Sequence, residues 1–425
     1  MSRTSTVSAA PVWSPASADL ATPATHIERG STDFLRVTLA LFSAGFATFA
    51  LLYCVQPILP VLSHDFGISP ATSSLSLSSS TVMLAVGLLF SGPLSDAYGR
   101  KNIMVGALVL ASVCTLLSTR MTSWHGILAM RMLVGLSLSG VAAVAMTYLA
   151  EEIHPLQVAF AMGLYISGNS IGGMSGRLLC GVLTDHFGWR TALTVIGCCA
   201  LAAALMFWKI LPASRHFRPL SLRPRSLLES FVHHWQDAGL PWLFVQGFLL
   251  MGAFVTLFNY IDYRLLQAQW HLSQTIVGLL SVVYLSGTWS SPKAGMMTAR
   301  FGRGPVMLGF IGVMLAGLLL TFFDALWLIV PGMLLFAAGF FAAHSVASSW
   351  IGPRAARAKG QASALYLFCY YVGSSLAGTL GGVFWHRDGW LGVGSFIAVL
   401  LTLALLVAWQ LQRRVGGKPS RVVAP

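Results

Sequence analysis

The sequence predicts an all-α integral membrane fold: twelve transmembrane helices arranged as two pseudo-symmetric six-helix bundles. Three observations predict it. First, the chain is 56% hydrophobic and only 9% charged, with mean hydropathy +0.74; a soluble domain carries roughly 25% charged residues to keep its surface wet. Second, apolar runs long enough to cross a bilayer recur along its length. Third, the two halves of the chain resemble one another.

A helix rises about 1.5 Å per residue, so crossing ~30 Å of hydrocarbon takes about 20 apolar residues. Such runs lie at 34–61, 72–94, 102–119, 124–149, 159–184 and 189–211, then at 241–265, 274–297, 305–323, 326–350, 361–385 and 390–411. The polar interval 212–240 divides them six and six. The expected organisation is therefore a disordered tail over 1–33, a bundle over 34–211, a linker over 212–240, a second bundle over 241–411 and a short tail over 412–425. Residues 1–33 lack the apolar core of a secretory signal. The interval 212–240, with Trp235 and the pair His233-His234, reads as an amphipathic segment on the membrane surface.

Loop charges set the direction. Arg100, Lys101, Arg215, Arg218, Arg223, Arg225, Arg300, Arg303, Arg354, Arg357 and Lys359 collect on one side with the basic C-terminal tail, whereas the other side has only Arg120, Arg190, Arg264 and Arg387. By the positive-inside rule both termini and the linker are expected in the cytoplasm. The same placement explains the net charge of +13 without a nucleic-acid partner. All six cysteines fall inside apolar stretches, so neither a disulfide framework nor a metal site is expected.

At an offset of 201 the fifth and eleventh spans share Leu164/Leu365, Tyr165/Tyr366, Gly172/Gly373, Gly181/Gly382, Gly188/Gly389 and Trp189/Trp390. At 203, Gly92, Gly99 and Arg100 match Gly295, Gly302 and Arg303. Two related bundles with a polar path between them suit alternating access, in which the halves rock about a central site.

The segment Gly92-Pro93-Leu94-Ser95-Asp96-Ala97-Tyr98-Gly99-Arg100-Lys101 resembles the signature between helices two and three of the major facilitator superfamily. The chemistry suits the spacing: Gly92 permits close helix approach, Gly99 a tight turn, and Asp96 can meet a helix N-terminus or an Arg across the seam between bundles. Such a contact would latch the cytoplasmic side and break on opening, so that Gly92, Asp96, Gly99, Arg100 and Lys101 form a candidate gate motif. Ala97 stands where an Arg is frequent. In the fourth span, Arg131 and Gly135 fit the superfamily's Arg-x-x-x-Gly pattern. The fifth span, Gly168-Asn169-Ser170-Ile171-Gly172-Gly173-Met174-Ser175-Gly176-Arg177, resembles the glycine-rich motif of the drug/proton antiporter branch, with Gly173 in place of Pro and Arg177 in place of Gly. Gly168, Gly172 and Gly176 share one helix face, a spacing that equally serves close helix packing. Tyr53-Cys54-Val55-Gln56-Pro57-Ile58-Leu59-Pro60 looks most like the acriflavine-sensitivity group. The resemblance runs from about residue 34 to 411, and implies a monomeric bacterial inner-membrane efflux transporter with a small-molecule substrate, protons as coupling ion and no cofactor.

Charges inside the membrane carry the candidate chemistry, because each costs a few kcal/mol even on permissive scales. Arg131 and Arg177 fall at matching depth, ~10–12 Å inside the outer boundary. They either converge on an anionic or polyhydroxyl group or satisfy themselves on carbonyls. Lys293 sits where it can snorkel. Asp262, near the outer end of the seventh span, and His344, in the tenth, are the titrating candidates, with pairing to Arg264 and plain packing as their alternatives. Gln56, Tyr53, Asn169, Tyr165, Tyr366, Tyr370 and Trp289 fit a cavity wall. The seven hydroxyls between Ser73 and Thr81 read as bonded back to their own helix. No catalytic triad, metal cluster or phosphate-binding loop is present, so no enzyme is expected. A secondary solute carrier is, by proton-linked efflux or by facilitated or proton-coupled uptake of a small polar or anionic solute; a membrane receptor that binds without moving its solute shares the same features.

Overall fold

The computed structural model describes residues 26–215, 234–267, 269–270, 272–355 and 359–415. The expected N-terminal tail up to residue 25, most of the linker (216–233), and the end of the chain from 416 lie outside the described residues. In chain order the helices are α1 Thr32–Tyr53, α2 Leu59–Phe66, α3 Pro70–Tyr98, α4 Arg100–Ser118, α5 Trp124–Ala142, α6 Ala145–Glu152, α7 Val158–Phe187 and α8 Trp189–Ile210. There follow α9 Leu240–Leu265, α10 Gln274–Leu279 with a 3₁₀ segment Leu280–Leu285, α11 Ser286–Phe301, α12 Arg303–Leu320, α13 Leu326–Arg354 and α14 Lys359–Val415. The last is two helices run together across a kink at Asp388 and Gly389, which gives the twelve crossings.

Three spans are not continuous helices as the hydropathy pattern predicts. The first breaks after Tyr53, because Pro57 has no N–H to donate and disfavours helical backbone at Gln56; the chain turns and restarts at Leu59. The fourth breaks between Ala142 and Ala145, and the eighth tightens into the 3₁₀ segment. The second is longer than its apolar run, so Gly92 to Tyr98 form the last turns of α3 rather than a loop.

Both copies of the repeat turn the chain in the same way. Gly99 and Gly302 have φ of 92° and 81°, and Gly188 and Gly389 have 81° and 56°, a region L-residues with a side chain rarely enter. In the first bundle α1 packs on α5, α7 and α8, with α3 and α4 on α5; in the second, α9 packs on α14 and on α13, and α12 and α11 on α13. The bundles meet where α3 lies on α14 and α7 on α10. The face carrying Thr32, Gly99 and Val415 is called the terminal face below, and the opposite one the far face.

Candidate functional site

The helix break in α1 builds the site. Ending the helix at Tyr53 leaves its last carbonyls without amide partners, and two of the predicted residues are organised around that end. Arg131 on α5 is 1% exposed. It donates from Nη1 to Leu51 O at 2.9 Å, from Nη2 to Leu52 O at 2.7 Å and from Nε to Ser76 O at 3.0 Å. Its charge sits at the negative end of the α1 dipole. Arg131 is thus a clasp holding α1, α3 and α5, not half of a two-arginine anion site.

Arg177 is used differently. Its Nε donates to Gln56 Oε1 at 2.6 Å and its Nη1 to Gly173 O at 2.8 Å. The guanidinium carbon stands 4.5 Å from the ring centroids of both Tyr53 and Tyr284, a cation–π sandwich. Gln56 then donates from Nε2 to Asn259 Oδ1 at 2.8 Å. Arg177, Gln56 and Asn259 therefore form a hydrogen-bonded bridge from α7 through the α1 break to α9, joining the two bundles. Beside it is a cavity lined by Gln56, Arg177, Phe258, Asp262, Ser281 and Tyr284 among others, with space for about one water molecule.

Asp262 faces this cavity. It does not pair with Arg264, whose guanidinium instead bonds Thr321 O, Phe323 O at 3.1 Å and Asp324 at 2.8 Å. His344 and Tyr370 lie off the cavity, in an aromatic cluster of the second bundle. His344 Nδ1 shares a 2.8 Å hydrogen bond with the Tyr366 hydroxyl, and its ring lies 4.7 Å from Tyr370 and 5.8 Å from Phe340. Phe340 stacks on Phe254 at 4.0 Å, and Phe254 meets Tyr284 at 5.3 Å, so ring contacts connect His344 to the Arg177 sandwich. Asn169 is not in the cavity wall: its amide oxygen points at Gly45 on α1.

The two motifs also resolve. Gly168, Gly172 and Gly176 face Phe42, Phe46 and Ala50, where a Cβ would collide with α1 backbone; they are packing residues. Gly173 stands apart, with its carbonyl on Arg177. In the gate motif Asp96 does not reach across the seam. It pairs with Arg100 at 2.5 Å, and Arg100 pairs with Glu151 at 2.7 Å, inside the first bundle. Lys101 donates to Leu211 O at 2.5 Å, and Gly92 has open space where a side chain would project.

Bonds between the bundles cluster from the membrane middle to the far face. The hydroxyls of Ser63 and Ser73 each lie 2.6 Å from the Tyr263 hydroxyl, which donates to Leu59 O at 2.9 Å. Asp185 accepts from the amides of Gln274 and Thr275 at 3.2 and 2.9 Å, capping α10 from α7. Thr81 and Ser375 meet at 2.7 Å, and Thr379 donates to Ser78 at 2.9 Å. The hydroxyl run of α3 thus bonds across the seam as well as back to its own helix. Tyr263, Tyr284 and Asp185 escape the sequence reading; Tyr263 and Asp185 are polar residues near span ends, where interfacial anchoring is the ordinary explanation.

A family model described as Major Facilitator Superfamily matches residues 41–263. The chain belongs to the major facilitator superfamily. As a member it is a multi-pass membrane transporter, similar to proteins themselves named transporters. It is 72% identical over 415 residues to "Inner membrane transport protein YnfM" of Escherichia coli (strain K12), covering 98% of this chain and 100% of that one. It is 44% identical over 391 residues to "Uncharacterized MFS-type transporter YybF" of Bacillus subtilis (strain 168), covering 92% and 97%. Among solved structures, a bacterial homologue of the human lysosomal transporter Spinster, in an inward-facing and unoccupied conformation, superposes with TM-score 0.73 at 16% identity, covering 90% of this chain and 99% of that one. A D-xylose–proton symporter does so with TM-score 0.71 at 16% identity, covering 89% and 98%. Both likenesses concern the fold.

Proposed function

We propose that this protein is a proton-linked exporter of a small solute, working as a monomer in the bacterial inner membrane by alternating access. The observation that carries the reading is the Arg177–Gln56–Asn259 bridge: a buried, charge-assisted link between the two bundles, placed at a helix break. A link of this kind has to part when the far face opens, which makes it a gate. Export against a proton gradient is supported by the likeness of the fifth span to the drug/proton antiporter motif and of the Tyr53–Pro60 segment to the acriflavine-sensitivity group. With both termini cytoplasmic, as the loop charges indicate, the far face is the outer one, and the bonds between the bundles on that face support reading an inward-facing state. The gate motif fits that state, since Asp96 is engaged within its own bundle.

The test is flux in sealed vesicles, with a solute chosen by growth-sensitivity screening of a deletion strain. Outward transport should follow an imposed pH gradient and stop when the gradient is collapsed. Arg177→Ala should insert normally and lose flux. Flux unchanged by collapse overturns proton linkage, accumulation in the opposite direction makes the protein an importer, and saturable binding without flux makes it a receptor.

A further inference from the structure

Asp262 is a carboxylate that rocking of the bundles alone does not need. It lies three positions beyond Asn259 on α9, is 7% exposed, and lines the cavity beside the bridge. It makes no hydrogen bond or ion pair with a described residue. Its surroundings have little to offer it. Phe258, Val277, Leu280 and Met333 are apolar. The Ser281 hydroxyl bonds Gly278 O at 2.7 Å and Met174 O at 3.2 Å, and both ends of the Gln56 amide are taken. The charged and titratable groups that act on Asp262 are Arg177 from α7, Tyr284 from the 3₁₀ segment and Tyr263 from its own helix. Arg177 is the natural counter-ion, yet Gln56, the Gly173 carbonyl and two tyrosine rings hold it elsewhere.

A carboxylic acid tolerates such a place far better than a carboxylate, which needs water, donors or a partner cation. We propose that Asp262 carries the proton of the transport cycle, and that its ionisation opens the far face by breaking the Arg177–Gln56–Asn259 bridge. Both ways of satisfying the anion act through that bridge. Either α9 parts from the α1 break and water enters, or the guanidinium swings to the carboxylate and releases Gln56. The O–H bond forms while the far face is open, with a proton from the water on that side. It breaks in the far-closed state, giving the proton to the water on the terminal side as solute binds there. The sealed state binds the proton more tightly than the open one, so acid favours closure and rising pH favours opening.

The proposal rests on the proton-linked reading above, but its claim about conformation can be tested without flux. Spin labels at Thr122→Cys and Arg387→Cys, exposed far-face positions on opposite bundles, would be placed in full-length protein whose native cysteines are replaced, held in lipid nanodiscs. In the parent protein the short inter-label distance should dominate at acid pH and give way to a longer one as pH rises. Asp262→Asn should keep the short distance at every pH, losing the shift, and Asp262→Glu should regain it. A parent protein indifferent to pH, or Asp262→Asn shifting as the parent does, overturns the assignment. If the distances behave as expected while flux ignores a pH gradient, the proton-linked reading fails and the conformational assignment stands. If Asp262→Asn still transports under a pH gradient, the coupling group lies elsewhere and the proton-linked reading survives.

Discussion

Arg131 and Arg177 show how one residue type at one depth acquires two roles. Both are buried arginines on neighbouring spans, and both reach the end of α1. Arg131 spends its donors on three backbone carbonyls of two helices, whereas Arg177 binds a side chain that in turn holds the other bundle. Removing the first leaves Leu52 O with no other side-chain donor, and leaves Leu51 O only the weak Cys54 thiol and Ser76 O the Ser80 hydroxyl; a buried carbonyl so deprived costs about 1–3 kcal/mol. Arg131→Ala should therefore lower stability by on the order of 3 kcal/mol, read as a fall in unfolding temperature in detergent. Arg131→Lys should recover little, because an ammonium cannot span the three acceptors as the planar fork does. An Arg131→Ala protein of unchanged stability would return this residue to the list of solute-binding candidates.

At the scale of elements, helix ends and helix contacts do the positioning. The glycine face of α7 brings its backbone against α1, and that close approach sets Arg177 beside the α1 break. The start of α9 is fixed by Asp237, outside the membrane, which accepts from the amides of Gly239 and Leu240 at 2.8 Å each and from Arg354 Nε at 2.6 Å. Partial burial alone would raise the Asp237 carboxyl, but these donors and the Arg354 charge hold it below the ordinary carboxylate range. The sign follows: a lowered folded-state value contributes stability above the unfolded value of about 3.9 and loses it as pH falls through the folded one. Asp237→Ala should cost about 1 kcal/mol at neutral pH. The gap to the parent protein should close only in acid below the unfolded value, and a gap that closed near pH 6 would contradict the capping role.

For the whole molecule, the far-face seal is a set of modest bonds shared between bundles, with Tyr263 tying α9 to Ser63, Ser73 and Leu59 at once. Each net bond is worth about 1 kcal/mol. Losing all three, about 3 kcal/mol, Tyr263→Phe should move the closed–open balance by roughly a hundredfold toward opening. A cysteine at Ser281, in the cavity wall, reports it: membrane-impermeant thiol reagents applied from the far side should label it faster in the Tyr263→Phe background. Equal labelling rates would mean that the hub does not limit opening.

The residues themselves determine the architecture. Twelve crossings follow from the length and apolarity of the runs, and the twofold repeat is written in pairs such as Gly99/Gly302 and Gly188/Gly389, which turn out to be the tight turns. These properties are legible because hydrocarbon thickness and backbone sterics act locally, on a few consecutive residues. The Gly168–Gly176 spacing likewise announces a packed face, whereas the run 34–61 reads as one span and its break before Pro57 appears only in the structure. What tertiary structure alone decided is the division of labour among the buried polar groups. Arg131 meets carbonyls about 80 positions away, Gln56 an amide on the other bundle, and Asp262 no donor among the described residues. A buried charge takes its role from the partner that compensates it, and that partner is set by helix packing across the seam rather than by neighbours in the chain.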